Sequence, residues 1–317
     1  MTTPFEGPKP RRLTLSIRTV LLLVLVTAIL IGWRSNRANQ QRRTVALIKA
    51  AGGEVEYDYQ YVNDTKPWAP AWLRGLFGDE YFQEVVYVYF MSPQQRPTAA
   101  TMTAFEALNR LKKLYIQDSS QIGAGLIHLR GISHVESLDL EGPGVTDVGL
   151  VNLRYLTQLK HLSLEDSRLT DQGLVSLKGL TKLQELVISG ALRSKNGKVT
   201  TKGLVHLAGL HNLIGLTLGD QPGLTDLGPL GLGSNFTKLR TLTLSRTGIT
   251  DVGLAGVQNL PALTALNLAR TQVHDAGLFY LTTLANLKHL YLTNTGITDA
   301  GLVHLRNLIL QRQVVPS

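Results

Sequence analysis

Residues 239–260 read LRTLTLSRTGITDVGLAGVQNL. Leu239, Leu242 and Leu244 set out an L-x-x-L-x-L pattern, which ends in the alternation of a half-buried strand. The chain then turns through Thr247-Gly248 and restarts at Thr250-Asp251 as a short helix carrying Leu254, Val257 and Leu260. The strand pattern begins again at Leu263 and at Leu287. Earlier strands open at Leu111, Val135, Leu159, Leu183 and Leu213, so the steps from Leu111 to Leu287 are 24, 24, 24, 30, 26, 24 and 24 residues. Val85, Val88 and Phe90 form a weaker strand 26 residues before Leu111. A fixed period of this length is the signature of a solenoid.

Each unit has a physical logic. Alternate strand leucines face inward and the residues between them face out. Thr146, Thr170, Thr225, Thr250 and Thr298 are suited to cap the helices, and Asp147, Asp171, Asp226, Asp251 and Asp299 follow in the electropositive first turn. Parallel strands stack at about 4.8 Å, whereas helices need roughly 8–10 Å. The helices therefore take the outer arc. The predicted fold is an α/β solenoid, a curved parallel sheet inside and short helices outside, with an N-terminal transmembrane helix and an α+β cap.

The units T-G-I-T-D-V-G-L (247–254) and T-G-I-T-D-A-G-L (295–302) resemble the leucine-rich repeat family, in the I-T-D-x-G-L type of F-box-associated arrays and bacterial relatives. R-T-V-L-L-L (18–23) and G-G-E-V-E-Y-D-Y-Q (52–60) look like the layout of membrane-anchored leucine-rich repeat proteins of planctomycetes. The resemblance implies a protein partner on the concave face and brings no catalytic motif. No F-box precedes the array, and the chain has no cysteine where the eukaryotic repeats often carry one. A ubiquitin-ligase adaptor is therefore not expected.

The net charge is +9, and residues 1–50 alone hold nine Lys/Arg against Glu6. The excess flanks one apolar segment instead of forming a stripe on the folded part, which argues against nucleic-acid binding. With no cysteine, disulfides, thiolate metal sites and cysteine nucleophiles are excluded.

Leu13–Trp33, LTLSIRTVLLLVLVTAILIGW, is long enough as a helix to cross a hydrocarbon core of about 30 Å. Arg18 can snorkel, and Trp33 sits where an interfacial aromatic belongs. A cleaved signal peptide is the competing reading, but Gly32-Trp33-Arg34-Ser35 makes a poor cleavage site. A buried soluble helix would not be an unbroken apolar run flanked by arginines. The flanking charges nearly tie. A short tail before an N-terminal anchor usually stays in the cytoplasm, which puts the repeats on the extracytoplasmic side of a single-pass membrane protein.

The domain order is then a basic tail (1–12), the anchor (13–33), a juxtamembrane helix and N-terminal cap (34–84), eight or nine repeats (85–310) and a C-terminal tail (311–317). In the cap, Asn39–Ala51 looks helical and Gly52-Gly53 ends it. Val55, Tyr57, Tyr59 and Tyr61 alternate with polar residues as a strand, with sugar or base stacking as the functional alternative. Trp72, Leu73, Leu76 and Phe77 have helical spacing. An insertion, 189–201, carries Arg193, Lys195 and Lys198, and 223–236 is glycine-rich.

The predicted partner-binding face comprises Ser137, Asp139, Glu141, His161, Ser163, Glu165 and Glu185 early in the arc. Later it comprises Thr241, Thr243, Arg246, Asn267, Arg270, His289 and Tyr291. It runs from acidic to mildly basic. Ser163, His161 and Asp139 superficially assemble a hydrolytic trio, and the same acids with His161 offer cation ligands. An open sheet face supplies no oxyanion donors, because its N–H groups are used in the ladder. No enzyme activity, metal or cofactor is expected. His128, His206 and His304 recur at one helix position and read as structural. Leu308–Leu310 end the last unit without an evident polar cap, so either the tail from Gln311 covers the last layer, which is the simpler reading, or the layer pairs with another subunit, and self-association as a cell-envelope component is the alternative function.

Overall fold

The structure, a computed structural model, describes residues 16–63, 68–92, 97–117, 120, 122–190, 199–228 and 235–305. The basic tail, Leu13–Leu15 of the expected anchor, the basic centre of the 189–201 insertion, part of the glycine-rich stretch and Leu308 onward lie outside these residues.

Ten strands form one sheet in chain order: β1 (Glu54–Tyr57), β2 (Val85–Phe90), β3 (Lys113–Ile116), β4 (Ser137–Leu140), β5 (His161–Leu164), β6 (Glu185–Ser189), β7 (Gly215–Gly219), β8 (Thr241–Thr243), β9 (Ala265–Asn267) and β10 (His289–Tyr291). β1 is antiparallel to β2, and every later pairing is parallel. The register aligns Leu114, Leu138, Leu162, Leu186, Leu216, Leu242 and Leu266 in one row, all buried. Between strands the outer arc is mostly short 3-10 helix, with short α turns at Asp147–Leu150 and Asp171–Leu174. The slim 3-10 turn lets neighbouring units approach more closely than full α-helices would.

The threonine–aspartate pairs go beyond capping. Thr170 caps its own turn through Gln172 N, and it also donates its N–H and hydroxyl to Asp147 of the preceding unit, at 2.9 and 2.6 Å. Thr200 does the same to Asp171, and Thr298 to Asp275. In the unit between Asp171 and Thr225, Thr201 stands in the aspartate position and accepts from Thr225 N and Asp226 N. Each acid is thus a clamp between units. The Thr298 bonds, the side-chain one first, hold the Asp275 carboxyl below the usual aspartate range.

One helix, α1 (Ile17–Ala50), runs through both the expected anchor and the expected juxtamembrane helix. Ser16 caps it, and Gly52 (φ 83°) and Gly53 close it by donating back to Lys49 and Ile48. Its C-terminal half buries Thr44, Val45 and Ile48 against the first units. The expected anchor and the cap are therefore one element. By length and composition α1 can cross a membrane.

The tyrosine run departs from the strand expectation. β1 stops at Tyr57, and helix α2 (Asp58–Asn63) takes Tyr59 and Tyr61. Asp58 accepts from Tyr59 N and Glu84 N, while Gln60 reaches back to Tyr57 N. These local side-chain acceptors outcompete the strand ladder. Helix α3 (Ala71–Phe77) forms where its spacing predicts, yet it buries none of its residues.

Candidate functional site

The sheet face opposite the leucine row carries two rows of side chains, fixed by the pairing register. The first runs Tyr87, Lys113, Ser137, His161, Glu185, Gly215, Thr241, Ala265, His289. The second runs Tyr89, Tyr115, Asp139, Ser163, Val187, Thr217, Thr243, Asn267, Tyr291. Glu141 and Glu165 follow directly after the second, at the strand ends. Of the expected face residues, all but two sit in or beside these rows.

Arg246 and Arg270 are the correction. They lie past the ends of β8 and β9, in the turn that follows, with φ of 58° and 59°. Asp166, Asp220 and Asn294 occupy the same turn in other units with φ of 52–56°. Short Asp and Asn side chains tolerate this left-handed backbone, whereas an arginine there costs about 1 kcal/mol. The turn is held because its N–H donates to the next unit, Arg246 N to Ala269 O and Arg270 N to Thr293 O. Arg246 Nη1 pairs with Asp220 at 3.2 Å, so these arginines rim the face.

At the early end the register brings together carboxylates and tyrosines. Glu54 and Glu56 of β1 pair in register with Tyr89 and Tyr87. The Tyr89 hydroxyl donates to Glu54 Oε2 at 2.9 Å. Burial, and then that bond, push the Tyr89 phenol up to about 12. Burial also raises Tyr87, followed by the charge of Asp139, and Tyr115, followed by the charges of Glu141 and Asp139. Lys113 lies over the Tyr87 ring, 5.7 Å from its centre. Tyr87, Tyr89 and Tyr115 are absent from the expected face, because Val85, Val88 and Phe90 read only as a weaker strand ahead of the regular repeats. Strand alternation applied to Tyr87, Tyr89 and Tyr115 would have found them.

His161 is the centre of the acidic patch. Its Nε2 lies 2.7 Å from Asp139 Oδ1 and its Nδ1 2.8 Å from Glu185 Oε2. Asp139 is the main cause that raises the imidazole above its ordinary value, with Glu185 adding to it and burial opposing. Ser163 Oγ turns instead to Glu165 Oε1, at 3.3 Å. The hydrolytic trio is therefore not assembled: both imidazole nitrogens are on carboxylates, and the serine is on a third. Among the described residues no three His, Asp or Glu side chains converge in a metal-holding group. A shallow 140 Å³ hollow lies between Tyr115, Asp139, Glu141, His161, Ser163 and Glu165. On the outer arc, His128 bonds Glu106 and Thr103 across units.

A pH dependence follows from His161. Its folded-state affinity for the proton is raised, so its ion pairs stabilise most below the ordinary imidazole value near 6.5. That contribution is lost as pH rises through the raised folded value. The expected result is that His161→Gln costs more stability in mild acid than in mild alkali, measured as urea midpoints of both proteins across pH. An equal cost at both ends would show that His161 binds its proton no more tightly in the folded array than in the unfolded chain.

A family model described as Leucine Rich repeat matches residues 155–178, 237–257 and 283–305. The array has a leucine-rich repeat fold. An internalin (inlF) from Listeria monocytogenes str. 4b F2365 is similar at 21% identity over 65% of this chain and 62% of that one, with a TM-score of 0.49. TLR13, in its ssRNA13 complex, is similar at 16% identity over 74% of this chain and 32% of that one, with a TM-score of 0.50. The chain thus spans less than two thirds of either neighbour, and the likeness to TLR13 is one of leucine-rich repeat fold. No curated protein matches the sequence.

Proposed function

We propose that this chain is a membrane-anchored interaction module that binds a protein partner on the concave face of its leucine-rich repeats. The observation that carries the reading is the uncovered early face, where Asp139, Glu141, Glu165 and Glu185 stand beside Tyr87, Tyr89 and Tyr115. Carboxylates beside half-buried aromatic rings suit lysine and arginine side chains, through ion pairs and cation–π contact. The partner therefore presents a basic segment, and opposite potentials speed its encounter. The same acids oppose nucleic-acid phosphates. The anchor is the apolar half of α1, and the repeats stand on the extracytoplasmic side.

The test uses photo-crosslinking amino acids in cells, one at Val187 on the concave face and one at Val175 on the outer arc. A discrete protein adduct from Val187 alone is expected. Charge reversal by Glu141→Lys with Glu165→Lys weakens that capture about tenfold or more. Adducts from Val175 alone would sink the concave-face reading. Orientation is checked with Val252→Cys, an exposed position in a chain without native cysteine. An impermeant thiol reagent labels it on intact cells only if the repeats are outside.

A further inference from the structure

The helix α1 passes from fully exposed to packed within one turn. Every residue of Ile17–Trp33 is exposed, and burial begins at Arg34 and continues through Ala38, Gln41, Thr44, Val45 and Ile48. No linker separates the apolar span from the folded part. Arg34 Nε donates to Tyr81 O at 2.9 Å, and Arg34 and Arg37 both approach Glu84, at 3.8 and 3.4 Å. One turn on, Gln41 exchanges hydrogen bonds with Gln83 O and Val85 N, and Arg42 pairs with Glu80. Residues 79–85 are thereby clamped to α1 immediately beyond Trp33.

This clamp sets the height of α3 and the residues around it. Phe77 stacks on Tyr81 at 4.9 Å, and Trp68 meets Phe82 edge-on at 5.5 Å. Arg34, which holds Tyr81, is one residue past Trp33, and a headgroup layer is about 5–7 Å thick. The segment therefore lies at the level of the lipid headgroups if α1 spans the bilayer.

Its outer side is apolar and uncovered. Trp68 is 77% exposed, and Trp72 and Leu76, one helical turn apart, are each 70% exposed. They do not serve the solenoid cap, which is closed by Val45, Ile48 and β1. The chain has only three tryptophans, and they are Trp33, Trp68 and Trp72, all in this zone. Tryptophan is the residue most suited to the membrane–water boundary, with an amphipathic ring at headgroup level. Arg34 and Arg37 share the single Glu84 carboxylate, which leaves net positive charge where lipid phosphates lie.

We propose that residues 68–77 are a second membrane contact, in which Trp68, Trp72 and Leu76 seat in the interfacial layer of the bilayer that α1 crosses. The proposal rests on the anchor reading above. Its consequence is that the array is held in a fixed attitude to the membrane, by a continuous helix on one side and an aromatic foot on the other, and does not swing on a tether.

The tryptophan count makes the test direct. Full-length chain is reconstituted in phosphatidylcholine–phosphatidylglycerol vesicles, with or without lipid brominated near the headgroup end of its acyl chains. The Trp33→Phe variant reports Trp68 and Trp72 alone, and the Trp68→Phe/Trp72→Phe variant reports Trp33 alone. The expected result is a blue-shifted emission from Trp33→Phe that brominated lipid quenches roughly twofold. Water-exposed, unquenched emission from Trp33→Phe, with Trp33 itself quenched in the other variant, overturns the second contact and leaves the anchor standing. No quenching in either variant, in protein that fails to float with the vesicles, overturns the anchor and the proposal with it.

Discussion

Gly173→Ala lowers the stability of the array by about 3 kcal/mol, although alanine is the better helix former by about 1 kcal/mol. A Cβ at Gly173 would run into Asp147 Oδ1, with Leu169 Cδ2 close behind. Asp147 cannot swing aside cheaply, because its two oxygens accept the N–H and hydroxyl of Thr170. Gly173 is thus set by the aspartate of the preceding unit, and Gly203, Gly277 and Gly301 meet Asp171, Asp251 and Asp275 in the same way, whereas Gly149 meets Leu126 and Gly253 the Thr225 carbonyl. Gly179, with nothing within 4 Å of its would-be Cβ, is the internal control, and its alanine variant is neutral or slightly stabilising. Urea unfolding of both variants checks the contrast. Asp147→Ala loses the clamp but opens room, so the double variant Asp147→Ala/Gly173→Ala costs less than the sum of the two singles. Strict additivity would show that the glycine answers to something other than the carboxylate.

That contact explains what was legible in the sequence and what was not. The leucine period fixes the sheet, its parallel order and even its register, since a strand that slipped by one residue would turn its leucines to water. From the register the rows of the concave face follow, and His161, Ser163 and Glu185 fall where alternation puts them. The period does not report bonds between units, so Asp147 and Asp171 read as cap-turn charges when their partners are threonines of the next unit. Nor does it see local competition. Asp58 breaks an otherwise regular alternation because its carboxylate can take two N–H groups at once. Arg246 and Arg270 lie just past the last strand leucines, and the positive φ of that turn carries them to the rim. The anchor and the cap look like separate segments because their compositions differ, while helix propensity runs unbroken through both.

Because α1 is also the cap, one substitution in it unravels the near end of the array. Ile48→Asp costs about 4 kcal/mol or more, since it removes a fully buried side chain and leaves an unpaired carboxylate among apolar groups. Ile48 packs in the cluster that contains Val45, Val88, Phe90, Met102 and Phe105, the first layer of the solenoid. Leu47→Asp, on the adjacent exposed face of the same helix, changes little. In a repeat array each unit is stabilised chiefly by its neighbours, so loss of the cap propagates inward and fades. Hydrogen exchange resolves this along the chain. In the Ile48→Asp protein the amides of β2 and β3 lose protection first, while Leu242 and Leu266 of β8 and β9 keep theirs. A uniform loss from β2 to β10 would mean that the array unfolds as one cooperative block. Unchanged protection of β2 would mean that the packing of α1 on the first layer contributes nothing to holding it, and the cap would then have to be β1 alone.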